Sequence, residues 1–371
     1  MFILVKRLFM KAIHIDPDIR KAQTPPTDFY TSAEYFQASK SAVFASSWQY
    51  VCDVNTLSTP QTVYPFEFLD SFLPEPLLMS TDQQGQSRCL SNVCTHRGKI
   101  LVEQAGKSRQ ISCGYHGRCF RLDGSFKSMP CFEQVEDFPT EKDNLQTYST
   151  DHFAGLQFCS LNPAFSFKEW IQPVQDRLGW LPLDQLKFVE SASKDYEVQA
   201  HWALYCDNYL EGFHIPFVHP ALNNAIEFDE YFYETFPFAN LQVGIAKEGE
   251  PAFDLPSDSP DYGKRIYAYY FFMYPNIMLN FYPWGLSLNL VKPISKEKTR
   301  VEFKTYVFPE VSLDPANHAL DETELEDEAV VESVQKGLKG TAYTRGRYAP
   351  EMEINVHHFH RLLFDQINQN L

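Results

Sequence analysis

The sequence has few basic residues for its acidic content, and it lacks any long apolar run. Lys and Arg together number 32 against 48 Asp and Glu, so the formal net charge is −16. A nucleic-acid backbone or an anionic membrane surface needs a basic face, and this balance argues against both as partners. No apolar stretch reaches the roughly 18 residues of a membrane helix. We expect neither nucleic acid nor membrane as partner; small molecules, cationic ligands or a basic protein remain compatible.

Targeting and disulfide signals are also missing. After the basic pair at 6 and 7, three apolar residues precede Lys11, so the apolar core of a secretory signal, about 7–15 residues, is absent. We therefore expect a cytoplasmic chain, with translation starting at Met1 or at Met10. The eight cysteines are even in number, but without a secretion signal a disulfide framework is not expected.

The overall composition is that of a globular protein with an aromatic excess. A length of 371 residues predicts two or three domains. Aromatic residues make up 15% of the chain. A large aromatic core is the simpler interpretation of this excess, and walls of a large apolar cavity are the alternative.

Two cysteines stand apart because a histidine follows each at short range. Cys94 is followed by His96, and Cys113 by His116. Two Cys and two His suit a structural zinc ion, although zinc fingers usually group their cysteines before their histidines. The interleaved order also suits a [2Fe–2S] cluster with two thiolates on one iron and two imidazoles on the other. Glycines that follow the histidines favour tight turns with N–H groups directed at the cluster.

These loops carry a family resemblance. NVCTHRGK, then ISCGYHGR, with LDG downstream, resembles the Rieske domain of the Rieske non-haem iron oxygenases. The resemblance implies that Cys94, His96, Cys113 and His116 hold a Rieske [2Fe–2S] cluster. Arg118 departs from the pattern, since a Trp is frequent there, but this position is not a ligand.

A second segment, HWALYCDNYLEGFHIPFVHP at 201–220, contains two histidines five residues apart. Pro216 argues against one continuous helix through His214 and His219, and a turn between them allows both imidazoles to reach one point. The segment resembles the mononuclear-iron segment of the same oxygenases. The resemblance implies that both histidines bind Fe(II), with Asn208 close to the metal.

A third iron ligand is needed, because this chemistry uses two histidines and one carboxylate with open positions for O2. In the family it comes from a late helix, which corresponds here to the acidic stretch 321–338. The resemblance favours Asp327. The residues alone do not distinguish it from Glu324, Glu326 or Glu328.

Glu211 lies three residues before His214, a spacing that on a helix would place both on one face. One interpretation is a hydrogen bond that orients the histidine. The family implies a second: the carboxylate bridges to a Rieske-ligand histidine, His96 or His116, of a neighbouring subunit. This second role requires a head-to-tail ring, and the resemblance implies a homotrimer.

The predicted fold class is α+β, with three parts. Residues 1–44 form an N-terminal helical segment that packs on the catalytic domain. Residues 45–160 form a β-sandwich that carries the cluster. Residues 161–371 form the mononuclear-iron domain, expected as a helix-grip (START/SRPBCC-like) arrangement of a curved antiparallel sheet and a long C-terminal helix.

The implied function is that of a terminal oxygenase, the α subunit. No G-x-G-x-x-G fingerprint follows a strand, so a separate NAD(P)H-dependent flavin and iron–sulfur reductase is expected. The enzyme would activate O2 and mono-oxygenate, demethylate or dihydroxylate a small organic substrate, quaternary ammonium or aromatic. A Rieske-type electron carrier or redox sensor without oxygenase activity is the alternative.

Aromatic residues near the iron segment and on later strands are candidates for the substrate pocket. Their rings would attract a trimethylammonium group or stack on a flat aromatic compound. The candidates are Phe213, Phe217, Tyr270, Phe272, Tyr282 and Trp284.

Overall fold

The computed structural model describes residues 10–309 and 317–371, and side chains in the second range from residue 323 onward. The expectation about Met1 therefore lies outside the described residues. Two compact units are present. Unit 1 takes the chain up to Phe44, Lys168–Pro182 and Leu186–Leu371, and unit 2 takes Ala45–Phe167 and Leu183–Gln185.

Unit 2 is built from short antiparallel strands. They are β1 (Gln49–Asp53), β2 (Thr62–Leu69), β3 (Leu73–Thr81), β4 (Ser87–Ser91), β5 (Gly106–Lys107), β6 (Ile111–Ser112), β7 (Cys119–Phe120), β8 (Phe126–Ser128), β9 (Thr147–Phe153) and β10 (Leu156–Ser160). One sheet has the order β1-β10-β9-β4-β3-β2-β5, and a second has the order β6-β7-β8.

The two cysteine–histidine loops extend from these strands. The first loop follows β4, and the second joins β6 to β7. Cys94 and Cys113 belong to the buried cluster of unit 2, together with Leu78, Leu90 and Phe120. The apolar core therefore fixes the base of both loops.

Unit 1 contains a larger antiparallel sheet. Its strands are β11 (Lys187–Phe188), β12 (Lys194–Val198), β13 (Phe232–Phe236), β14 (Ala239–Ile245), β15 (Ile266–Met273), β16 (Ile277–Tyr282), β17 (Gly285–Ser295) and β18 (Lys298–Val307). The order is β11-β18-β17-β16-β15-β14-β13, and β12 also pairs with β18. Every residue of β14 and β16 is buried, so both faces of the sheet centre are covered.

Helices cover this sheet and carry the functional segment. They are α1 (Thr27–Thr31), α2 (Ala33–Ser39), α3 (Phe167–Leu178), α4 (Trp202–Tyr209), α5 (Ile215–Val218), α6 (Pro220–Ala225), α7 (Asn317–Gly337) and α8 (Ile354–Gln369). Helix α7 packs beside α4, where Gln335 Oε1 accepts the backbone N–H of His201 at 2.8 Å. Within the described ranges, no helix combines the length and apolar character needed to cross a bilayer.

Candidate active site

The segment from α4 to α6 carries the two histidines predicted to bind iron. Pro216 and Pro220 stand in the first turns of α5 and α6, where proline is tolerated but a continuous helix is interrupted. His219 lies between the two short helices, with φ −115° and ψ 79°. This break turns the histidines toward each other, and the Nε2 atoms of His214 and His219 are 3.1 Å apart.

Helix α7 adds a carboxylate to this pair. Asp327 Oδ1 lies 3.0 Å from His219 Nε2 and 3.4 Å from His214 Nε2. The side chain of His219 is 1% exposed, and those of His214 and Asp327 are 16% and 17% exposed. Two imidazole nitrogens and one carboxylate oxygen that converge in this way match the two-histidine, one-carboxylate donor set of non-haem iron.

The outer nitrogen of each histidine is held by a second carboxylate. His214 Nδ1 lies 2.7 Å from Glu211 Oε1, and His219 Nδ1 lies 2.7 Å from Glu326 Oε2. When each Nδ1 carries the ring proton and donates a hydrogen bond to its acid, the Nε2 lone pair is available for a metal. The hydrogen-bonding role predicted for Glu211 is thus present in the geometry, and its second oxygen accepts the backbone N–H of His214 at 3.0 Å.

The structure distinguishes the four acids that the sequence left open. Glu324 is buried and its two oxygens lie 2.7 and 2.9 Å from the Tyr205 hydroxyl, which donates to it. Burial raises the pKa of Glu324 well above its usual range. Burial likewise raises the pKa of Glu328. Among the described His, Cys, Asp and Glu residues, the group with metal-binding geometry is His214, His219 and Asp327.

A cavity of about 420 Å³ lies at this cluster, within the size range of small-molecule sites. Asn208 is part of its wall, as are Glu211 and the three residues of the cluster. Tyrosines and uncharged polar residues form much of the remaining wall: Tyr205, Tyr209, Tyr231, Tyr267, Tyr270, Tyr282, Gln242, Asn280, Ser287 and Asn289.

The six aromatic candidates for the pocket are placed differently from one another. Tyr270 and Tyr282 line the cavity. Phe213 and Phe217 do not, and their side chains are 43% and 79% exposed. The other two also lie outside the lining: Phe272 is buried against Phe359 and Tyr209, and Trp284 stacks on Tyr282 with ring centroids 5.0 Å apart.

The cluster loops of unit 2 have matching backbone geometry. Gly98 N–H donates to the Cys94 carbonyl and Gly117 N–H to the Cys113 carbonyl, both at 3.0 Å. The two glycines have φ of 72° and 73°, a left-handed conformation that most side chains disfavour. Each loop therefore makes the same tight turn after its histidine.

The cysteines and histidines of these loops differ in burial. Cys94 and Cys113 are buried, whereas His96 is half-buried and His116 exposed. The imidazole centroids are 4.8 Å apart. Burial opposes ionisation of Cys113, but hydrogen bonds from the Tyr115 backbone N–H, the Cys94 thiol and the His116 backbone N–H together lower the pKa of that thiol. Inner thiols and outer imidazoles fit a cluster with one thiolate-bound and one imidazole-bound iron.

Comparison with known families decides the class. The family model "Ring hydroxylating alpha subunit (catalytic domain)" matches residues 184–369, and "Rieske [2Fe-2S] domain" matches residues 47–139. The chain belongs to the Rieske oxygenase α subunits. The predicted fold class is confirmed, as are a Rieske [2Fe–2S] cluster and a mononuclear iron as cofactors.

Similar proteins cover most of this α subunit. Chloroplastic choline monooxygenase of Arabidopsis thaliana is 29% identical over 94% of this chain and 84% of its own length. The carnitine monooxygenase oxygenase subunit of Escherichia coli K12 is 28% identical over 93% of this chain and 94% of its own. A solved quaternary ammonium Rieske monooxygenase, described as revealing carnitine oxidation and inter-subunit electron transfer, has a TM-score of 0.76 at 25% identity, covering 95% and 96% of the two chains.

The α subunit is therefore an oxidoreductase that uses O2, a small organic substrate and electrons from a separate reductase. The alternative of an electron carrier without oxygenase activity is not supported, because half of the chain matches an oxygenase catalytic domain.

Sequence reasoning missed much of the cavity wall. Gln242, Asn280 and Ser287 were not foreseen, yet they lie in register with the predicted Tyr270 across β14, β15, β16 and β17, and all four line the cavity. Isolated polar residues inside otherwise apolar strands, such as Asn280 in IMLNFY, were the available signal. A buried polar side chain needs a hydrogen-bonding partner, and a cavity wall supplies that setting.

Proposed function

We propose that the chain is the oxygenase component of a monooxygenase acting on small quaternary ammonium compounds. The main support is an aromatic wall of three tyrosines. The ring of Tyr282 lies 6.2 Å from that of Tyr267 at 89° and 5.9 Å from that of Tyr270 at 83°. All three line the cavity that reaches the metal cluster. Rings set nearly perpendicular to one another can offer π faces to one cation from different directions, at about 0.5–2 kcal/mol for each ring.

In this proposal His214, His219 and Asp327 hold the mononuclear iron, and Asn208 helps to position substrate beside it. Bound iron, supplied with electrons from the cluster, provides the O2 activation that oxidises a C–H bond of the substrate. The protein fixes the donor set through Glu211 and Glu326, which keep both Nε2 atoms directed at the same point. The tyrosine wall orients the substrate and excludes water.

The electron-entry site in this proposal is formed by Cys94, His96, Cys113 and His116. The thiols anchor the cluster in the unit 2 core, and the more exposed imidazoles face the direction from which a partner can approach. Residues 45–160 are proposed as this electron-entry domain, and 161–371 together with 1–44 as the catalytic domain.

We further propose a homotrimer in which Glu211 accepts a hydrogen bond from His96 or His116 of a neighbouring subunit. Glu211 already holds an iron-ligand histidine, and its carboxylate has lone pairs for one more donor. The related quaternary ammonium monooxygenase is described in terms of inter-subunit electron transfer. A cytoplasmic location stays a prediction.

The test is turnover of choline, carnitine and naphthalene by the purified α subunit with a reductase and NADH. We expect one atom from ¹⁸O2 in the oxidised trimethylammonium compound. Tyr282→Leu should raise its KM about 2- to 30-fold, because one cation–π contact is lost. The exposed residue Phe217, changed to Leu, is the matched control and should leave KM unchanged. Oxidation of naphthalene alone would refute the substrate class.

A further inference from the structure

The wall of the cavity is acidic in a way that the metal site does not explain. Glu211, Glu250, Glu324 and Asp327 all line it. In the part of the chain that the structure describes, the lining includes no Lys and no Arg. A ligand carboxylate that entered this cavity would meet acids and no basic partner, which is costly inside a desolvated site.

Three of the four acids are already engaged. Glu211 is bonded to His214, Asp327 faces both histidines, and Glu324 accepts the Tyr205 hydroxyl. Their charge is compensated by the metal site or by a local hydrogen bond.

Glu250 is different. It is half-buried in the loop between β14 and β15, and its backbone is fixed, since its N–H donates to Lys247 O at 3.1 Å and its carbonyl accepts Arg265 Nη2 at 2.8 Å. The Glu250 carboxylate has no hydrogen bond and no ion pair to any residue in the described ranges 10–309 and 317–371. Burial raises the pKa of Tyr267, and the negative charge of Glu250 raises it further. The Glu250 carboxylate therefore lies close to one of the cavity tyrosines.

The two basic residues that contact the Glu250 backbone, Lys247 and Arg265, do not neutralise its carboxylate. Lys247 Nζ donates to the Asn223 carbonyl at 2.7 Å, and Arg265 donates to the carbonyls of residues 247 and 250. Neither residue lines the cavity.

We infer that the cavity selects an organic cation that carries no carboxylate, and that Glu250 is the residue that imposes this selection. The inference rests on the proposed quaternary ammonium chemistry and chooses within it: a trimethylammonium alcohol such as choline fits, and a zwitterion such as carnitine does not. The tyrosine wall and Glu250 attract the ammonium head. The polar row of Gln242, Asn280 and Ser287 offers uncharged partners for a hydroxyl group.

The test is equilibrium binding to the holoenzyme, without reductase, of choline, carnitine and dimethylbutanol, the uncharged carbon isostere of choline. We expect choline to bind at least about tenfold more tightly than either of the others. Glu250→Gln should lower the affinity for choline about fivefold, the size of one partly screened charge interaction. The affinity for dimethylbutanol should stay unchanged. The affinity for carnitine should fall less than the affinity for choline, because the same substitution also removes a repulsion between Glu250 and the carnitine carboxylate.

Glu248 provides the matched control, since it is an exposed acid of the same loop that does not line the cavity. Glu248→Gln should leave all three affinities unchanged. Carnitine binding as tightly as choline, or equal effects of the two Gln variants on choline, would overturn the inference while sparing the proposed function. If neither trimethylammonium compound binds and the turnover test above oxidises naphthalene alone, the proposed substrate class fails, and the inference fails with it.

Discussion

Glu326 is predicted to position His219 for the metal, and its replacement should weaken iron binding without disturbing the cluster. Its Oε2 lies 2.7 Å from His219 Nδ1, on a ring that is 1% exposed. Losing such a partner typically costs 10- to 100-fold in metal affinity. The Glu326 side chain is 40% exposed, so water replaces part of the lost bond. We therefore expect Glu326→Ala to lower the iron affinity by the smaller end of this range, about tenfold or ~1.4 kcal/mol.

The assay is the loss of mononuclear iron to a chelator of graded strength, with the visible absorbance of the [2Fe–2S] cluster as an internal reference. Glu326→Gln keeps an acceptor oxygen and should rescue part of the affinity. Glu328→Ala, on the same helix and on the other side of Asp327 in sequence, is the control and should retain iron. Wild-type iron retention in Glu326→Ala would refute the positioning role.

Three further substitutions probe Glu211, Asp143 and His201. Glu211→Gln should slow electron transfer roughly tenfold while both metal sites stay filled; stopped-flow single-turnover rates equal to wild type would count against the bridge between subunits. Asp143→Ala should destabilise unit 2 by about 3 kcal/mol, because Arg118, 3% exposed and 2.6 Å from Asp143 Oδ1, keeps its buried charge without that partner; denaturant unfolding followed by cluster absorbance measures this. Burial lowers the pKa of His201 to about 3, so below pH ~6.5 the unfolded chain binds a proton that the folded one does not. Relative to His201→Asn, which keeps an acceptor for the Ala203 N–H, wild-type stability should fall by up to ~1.4 kcal/mol per pH unit as the pH decreases from about 6.5 to 4; equal slopes in calorimetric unfolding would contradict this.

The features that the sequence predicts well are local ones. Each cluster loop places its Cys and His within four residues, and its turn follows from Gly98 or Gly117. The two histidines of the proposed iron site are five residues apart and separated by a proline, so their approach is decided within one short segment. The choice of Asp327 as third ligand depended on the family resemblance. In the sequence its chemistry does not differ from that of the neighbouring acids, and only the packing of α7 against α4 separates them.

The cavity wall was less accessible to sequence reasoning, because it depends on strand register and helix orientation. Asn280, which was not among the residues predicted from the sequence, faces the cavity because it pairs with Tyr270 and Ser287 across three strands, and a shift of one residue would reverse it. Phe213 directly precedes His214, but the turn into α5 leaves its ring exposed to solvent. Glu250 lies in a loop whose path no periodic pattern describes.

The central claim is that two separate iron sites are built by the cysteine–histidine loops and by the His214, His219 and Asp327 cluster. Metal analysis of the purified protein and of His219→Ala tests it most directly. We predict about three irons and about two acid-labile sulfides per chain for wild type. For the variant we predict about two irons, unchanged sulfide and an unchanged cluster spectrum. Retention of the third iron in His219→Ala, or zinc in place of iron and sulfide in wild type, would contradict it.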